Sequence, residues 1–269
     1  MKISIVTTTN NSAATIRDTL ESVLSQTYLD WELIIEDGLS QDDTLSIVRE
    51  YEPRGGGRIR IFSEKDDGLY DAMNRGIARA TGDVIGVLNS DDFFYDDHVL
   101  EDINRVMDGQ PVDCIYGDLM YVSARNKHRV VRIWKGSQHK KGAYLYGWHP
   151  AHPTFYARRE CYEKLGGFNT SLAISADFEL MLRFIEVAGL RNRYIPRYFV
   201  MMRMGGESNG NLRNIIRGNR NILRAMRANG FKPSPLFIVH RMLPKIKASI
   251  LADCTFLKNK RHLFDDIFG

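Results

Sequence analysis

Four short apolar runs divide the first ninety residues, and amphipathic stretches fill the gaps between them. The runs are Ile3-Ser4-Ile5-Val6, WELIIEDG from Trp31, RIRIFSEK from Arg58, and Val84-Ile85-Gly86-Val87-Leu88. Between the first two, NNSAATIRDTLESVLSQ sets Ile16, Leu20, Val23 and Leu24 at helical spacing, with Asn11 or Ser12 as the cap. SQDDTLSIVREYE opens with a Ser40–Asp43 capping pattern and carries Leu45, Val48 and Tyr51 along one face. DGLYDAMNRGIARATG sets Leu69, Met73, Ile77 and Ala80 on one stripe and stops at Gly82. This β-α-β-α-β-α-β order predicts an open, largely parallel α/β sheet.

Beyond Phe94 the pattern loosens. CIYGDLMYV and HRVVRIW read as strands, antiparallel to each other, and the Gly-, Pro- and aromatic-rich KKGAYLYGWHPAHPTFYARR as a loop entering a short strand. CYEKLGGFN reads as a short helix with a glycine turn. SADFELMLRFIEVAG reads as one helix with Phe178, Met181, Leu182 and Ile185 inward. Residues 189–203 form a further strand region, and 211–269 read as helices interrupted at KPSP and Pro244.

Composition narrows the class. With 269 residues, 43% hydrophobic and 26% charged, the chain suits a globular fold with a substantial core. Cys114, Cys161 and Cys254 lack any C-x-x-C spacing, which argues against a disulfide framework or zinc site and fits a reducing compartment. MKISIVTTTN is too short for a signal segment, and no apolar run approaches the ~20 residues of a membrane span. The +4 net charge is uneven: from Asn211 onward there are 12 basic and 3 acidic residues, so this tail is +9 and the remainder −5. A basic tail interleaved with Leu, Ile and Phe suits an anionic membrane surface or nucleic acid; a solvated helical hairpin is the plainer reading.

In open parallel sheets, ligands bind beyond the carboxyl ends of the strands. Three such ends carry polar clusters here: Thr7-Thr8-Thr9-Asn10, Glu36-Asp37 and Asn89-Ser90-Asp91-Asp92. Adjacent carboxylates repel unless water or a cation compensates them. Hard oxygen ligands suit Mg²⁺ or Mn²⁺, which typically take one or two carboxylates plus substrate phosphates. Asp91 and Asp92 therefore indicate a nucleoside diphosphate ligand, with a simple turn as the competing reading. Neither G-x-x-x-x-G-K-[ST] nor a G-x-G-x-x-G after the first strand is present, which disfavours a P-loop NTPase or a dinucleotide enzyme.

The combination VTTTNN, QTYLDWELIIEDGLSQDDT, SEKDDGLYDAMNRGIARATGDVIGVLNSDD and SADFELMLR resembles the family 2 glycosyltransferases, in order and spacing, over about the first 200 residues. It looks closest to bacterial enzymes that build exopolysaccharide and O-antigen units. The resemblance implies a GT-A (Rossmann-like) three-layer sandwich with a mixed, largely parallel sheet over residues 1–205. Residues 1–98 would form the nucleotide-binding half and 99–205 the acceptor-binding half, followed by a basic helical extension, 206–269. It implies that Thr7, Thr9, Asn10 and Asp37 line the base and ribose, with Asp67 and Asn74 beside ribose and diphosphate. Asn89-Ser90-Asp91-Asp92 matches the family's D-x-D element, with Asn89 in place of the first Asp and Asp91 and Asp92 as metal ligands. Asp177 matches the catalytic base, taking the acceptor hydroxyl proton in an inverting transfer. Glu179, two residues on, points elsewhere on a helix. His152, Trp148 and, more weakly, His149, Tyr144 and Tyr146 are candidates near acceptor or diphosphate, with packing as the alternative for the aromatics.

No Q-x-x-R-W motif follows Asp177, so by this resemblance the expected enzyme adds single sugars. The expected cofactors are Mn²⁺ or Mg²⁺ with a nucleotide-sugar donor, UDP-sugar favoured. The expected acceptor is a glycan, polyprenyl-diphosphate-linked, met in the cytoplasm at the inner face of the plasma membrane, and no nucleic acid partner is expected. A sugar-1-phosphate nucleotidyltransferase would need a Gly-rich basic stretch after the first strand, which VTTTNNSAAT lacks. A non-catalytic membrane- or nucleic-acid-binding protein would explain the tail but not the polar strand ends.

Overall fold

Parallel strands sheathed by helices on both faces must be apolar at nearly every position, and the first strands meet that requirement. In a computed structural model, residues 1–205, 212–234, 236–238 and 241 are described. Strands β1 (Ile3–Thr9), β2 (Trp31–Asp37) and β4 (Val84–Val87) are buried throughout, and β3 (Ile59–Ser63) forms the half-exposed edge. They run parallel in the order β3-β2-β1-β4.

Alternate side chains leave opposite faces of a strand. Ile3, Ile5, Leu33, Ile35 and Val84 therefore pack with α1 (Ile16–Leu24), α2 (Thr44–Tyr51) and α4 (Val99–Met107). On the other face Val6, Ile34, Ile85 and Val87 meet α3 (Leu69–Arg79), α5 (Arg159–Leu165), α6 (Ala176–Met181) and α7 (Leu212–Ala228). The result is a helix–sheet–helix sandwich.

The sheet continues without a break past residue 98. Strand β8 (Tyr156–Arg158) pairs antiparallel with β4 and with β6 (Cys114–Ser123). β6 pairs in parallel with β9 (Asn192–Arg203) and, antiparallel, with β7 (Asn126–Trp134); the two-residue β5 (Phe93–Phe94) closes on β9. β6 and β9 thus point the same way as β1, so Arg203 at the end of β9 reaches the edge that carries the polar clusters. β4 and β8 touch closely because Gly86 has no side chain: a Cβ there would lie 2.1 Å from the buried ring of Tyr156.

Three local expectations differ. Helix α1 begins after Thr15, and Ser12 turns its hydroxyl to Ser90 (2.8 Å) instead of capping. Ser40 accepts from the Asn11 N–H, while Asp42 bonds the N–H and hydroxyl of Thr44 at the head of α2. The helix read as continuous over 175–189 changes to a π turn at Leu182–Val187. Glu186 in that turn contacts the His139 ring (2.6 Å) and accepts the Gly142 N–H (2.7 Å), tying it to the preceding loop. The helical expectations for 206–211, 235, 239–240 and 242–269, and Cys254, fall outside the described residues. Among those described, no helix is long and apolar enough to cross a membrane.

At the amino edge of the sheet, buried Glu32 accepts from the Ser4 hydroxyl (2.7 Å) and the Thr81 N–H (2.6 Å) and hydroxyl (2.9 Å). Its other oxygen pairs with Lys2 (3.2 Å) and Arg60 (3.4 Å). Burial pushes this carboxyl up, but these hydrogen bonds outweigh it and bring its pKa from 4.5 down to about 2. A depressed folded pKa means stability that is present above 4.5 and is lost as pH falls toward 2. At 1.36 kcal/mol per unit, that is about 3 kcal/mol. Melting curves of wild type and Glu32→Gln should differ most above pH 4.5 and converge toward pH 2. A gap independent of pH would contradict the assignment.

Candidate active site

Strand pairing sets Thr9 opposite Asp37 and Val6 opposite Val87, so the expected polar clusters share one edge. Asp37 is buried, and its Oδ2 accepts from the Ser40 N–H (3.1 Å) and the Ser63 hydroxyl (2.7 Å). Its Oδ1 has no partner, and neither have the buried hydroxyls of Thr7 and Thr9 or Oδ1 of Asn89. Buried polar atoms without partners are uncommon and costly, so a cluster of them at one edge marks a seat for a polar ligand. Asn10, exposed, donates to the Gly38 carbonyl (2.6 Å). A Cβ on Gly38 would fall 2.5 Å from Asp66 Oδ2 and 3.1 Å from Asn10 Nδ2, so Gly38 lets those two side chains converge. Asp66 thus lies beside this edge, and Asp67, next to it in the chain, is exposed.

In the NSDD turn the adjacent acids part company. Asp92 is fully buried; its Oδ1 accepts the Arg203 N–H (3.1 Å) and its Oδ2 the Asn89 amide (3.1 Å). Burial, then the neighbouring Asp91 charge, pushes its carboxyl far above the usual range. Asp91 is partly exposed and also pushed upward, by burial, with Arg203 and His152 opposing. Ser90 is buried against Ser12. Asn89 thus orients the turn through Asp92, and its carbonyl accepts the Asp92 N–H (3.1 Å).

Asp177 sits in the first turn of α6, behind Ser175, whose φ of 72° turns the chain into the helix. The Tyr70 hydroxyl, from the start of α3, donates to its Oδ1 (3.2 Å), and His152 Nδ1 lies 3.5 Å from Oδ2. Tyr70 is buried against Phe168, and burial, then Asp177, pushes its phenol well above its usual range. Burial lowers the His152 pKa against the pull of Asp177 and Asp91, favouring the neutral ring. One histidine therefore feels both the helix acid and the turn acid. Asp177 and His152 face a small cleft lined also by Val87, Phe155, Phe168 and Leu180.

The other expected residues make the following contacts. Asn74 clamps the backbone of Phe168, accepting its N–H (2.7 Å) and donating to its carbonyl (2.8 Å). Glu179 is buried and turned away, holding Arg183 through both oxygens (3.0 and 3.1 Å), while Arg183 grips the carbonyls of Leu165, Gly166 and Gly167. Trp148 donates to Ser137 (2.9 Å) and packs among Tyr116, His139 and the fully buried Tyr144. His149 lies edge-on to Trp134 and Phe178, and Tyr146 is 72% exposed. Sequence reasoning missed Tyr70, Asp66 and Arg203. The first two lie inside the quoted SEKDDGLYDAMN stretch, so their signal was present but unassigned.

Residues 4–173 match the profile of glycosyl transferase family 2. The chain is 32% identical to a PGL/p-HBAD biosynthesis glycosyltransferase of Mycobacterium tuberculosis over 193 residues, 71% of this chain and 73% of that protein. It is 29% identical to the putative glycosyltransferase EpsE of Bacillus subtilis over 188 residues, 69% and 67% of the two chains. Among solved structures, S. aureus TarS 1-349 in complex with UDP aligns with a TM-score of 0.65 at 15% identity, covering 98% of this chain and 77% of that one. The mannosyltransferase PcManGT from Pyrobaculum calidifontis, in complex with GDP-Man and Mn²⁺, aligns with a TM-score of 0.63 at 17% identity, covering 96% and 76%. The sandwich and its mixed sheet are thus the GT-A arrangement, and the chain belongs to glycosyl transferase family 2 and is a glycosyltransferase.

Proposed function

We propose that this enzyme transfers one sugar at a time, with inversion, from a UDP-sugar to a hydroxyl of a polyprenyl-diphosphate-linked glycan in surface polysaccharide biosynthesis. The observation that carries the reading is Asp177: a partly exposed carboxylate, held by Tyr70 at the cleft that adjoins the strand-end edge. Such a group can take the proton of an attacking hydroxyl. The Tyr70 hydroxyl fixes one oxygen and leaves the other toward His152 and the cleft. UDP is favoured because TarS binds it, and the acceptor class is the one the sequence resemblance implies.

The base and ribose would rest on Thr7, Thr9 and Asp37, whose unpartnered oxygens offer acceptors and donors there, with Asn10 and Asp66 at the rim. Mn²⁺ or Mg²⁺ fits the same edge, since such ions need only one or two carboxylates besides phosphate oxygens. Asp91 would hold it, because Asp92 has both oxygens engaged inside the fold. When bound, the cation stabilises the departing nucleoside diphosphate. Residues 99–205 would present the acceptor, with Trp148 and His152 at its approach.

Thermal stabilisation by a panel of nucleotide sugars, each with and without Mn²⁺, tests the donor class. A UDP-sugar should raise the melting temperature most, and only with the metal. Equal shifts without metal, or none with any nucleotide sugar, would contradict the reading.

A further inference from the structure

Helix α7 carries five arginines and no acid within Leu212–Ala228. Arg217, Arg220, Arg224 and Arg227 are exposed. At 3.6 residues per turn their spacing confines them to an arc of about 80°. Among the described residues no carboxylate pairs with any of them. The opposite side is committed to the fold: Ile222, Ala225 and Met226 are buried in the cluster that contains Phe178 and Leu182. Asn221 donates to the Ile174 carbonyl (2.9 Å) and Ser175 to that of Gly218 (3.4 Å), so the helix lies on the segment that leads into Asp177.

Ile216, 47% exposed, borders the arginine row on the helix, and Leu236, beyond the end of α7, is 59% exposed. A nucleic acid or acidic protein would match the charge but leave both in water. A membrane interface meets both needs, with anionic headgroups for the arginines and the headgroup–acyl boundary for Ile216 and Leu236. We propose that this face of α7 docks the protein on an anionic lipid bilayer, beside the segment that carries the catalytic base. The inference rests on the lipid-linked acceptor reading for its purpose only; the face itself is defined by charge and exposure.

Sedimentation of the full chain with vesicles tests it without measuring transfer, so it can fail while the glycosyl-transfer reading stands, and conversely. Wild type should bind phosphatidylcholine vesicles containing about a third phosphatidylglycerol, ignore pure phosphatidylcholine, and release as salt rises. Replacing all four arginines with Gln should weaken binding by about three orders of magnitude, given the usual contribution per basic residue near such a surface. Nucleotide-sugar stabilisation should be unchanged and so report an intact fold. The four-fold Arg→Lys variant should bind nearly as wild type, because a lipid surface reads charge and not fork geometry. Equal binding to neutral vesicles, full binding by the Gln variant, or loss in the Lys variant would overturn the proposal. Binding to duplex nucleic acid without any to anionic vesicles would overturn it as well.

Discussion

Asp177→Asn should lower kcat by about 10²- to 10⁴-fold, the usual contribution of a general base, and leave nucleotide-sugar affinity within about twofold. The substitution keeps the shape at the head of α6 and retains an oxygen for the Tyr70 hydroxyl, so binding and melting temperature have no reason to move. Glu179→Gln is the informative contrast. That carboxylate holds Arg183 and, through it, the Leu165–Gly167 carbonyls, so its loss should appear as stability. Steady-state kinetics with isothermal titration separate the two. Normal turnover by the Asp177 variant would remove the base assignment.

The adjacent acids of the NSDD turn should behave oppositely. Asp91→Asn should abolish the metal-dependent part of donor binding and leave the fold intact. Chelation should do nothing further to that variant. Asp92→Asn should lower stability by about 1–3 kcal/mol, since the new amide faces the Asn89 amide, donor to donor, in a buried site. Nucleotide titrations with and without Mn²⁺, beside thermal melts, read both effects. If Asp92→Asn lost the metal response at unchanged stability, the two roles would have to be exchanged.

The first four strands and three helices could be read from the chain because parallel strands covered on both faces are continuous apolar runs. The helices between them bury one stripe. The convergence of Thr7, Asp37 and Asn89–Asp92 followed from that topology alone. The later sheet was harder, because β6 meets three partners from distant parts of the chain and β5 has only two residues. The difference in burial between Asp91 and Asp92 was not legible either. It depends on the Arg203 N–H, more than a hundred residues away, which draws Asp92 inward. The hold of Asn74 on the backbone of Phe168 was hidden for a related reason, since the two lie far apart along the sequence. Ser12 and Ser40 look like caps in sequence, yet both bond across to neighbouring loops, a choice fixed only when the strand ends are brought together.

The most direct test is nuclear magnetic resonance of slow donor hydrolysis, with water standing in for the unknown acceptor. Wild type with Mn²⁺ and its preferred nucleotide sugar should release nucleoside diphosphate together with free sugar whose first-formed anomer is opposite to that of the donor. Retention of the donor's configuration would contradict the single displacement assigned to Asp177. Appearance of sugar 1-phosphate and nucleoside monophosphate instead would contradict glycosyl transfer at this site altogether.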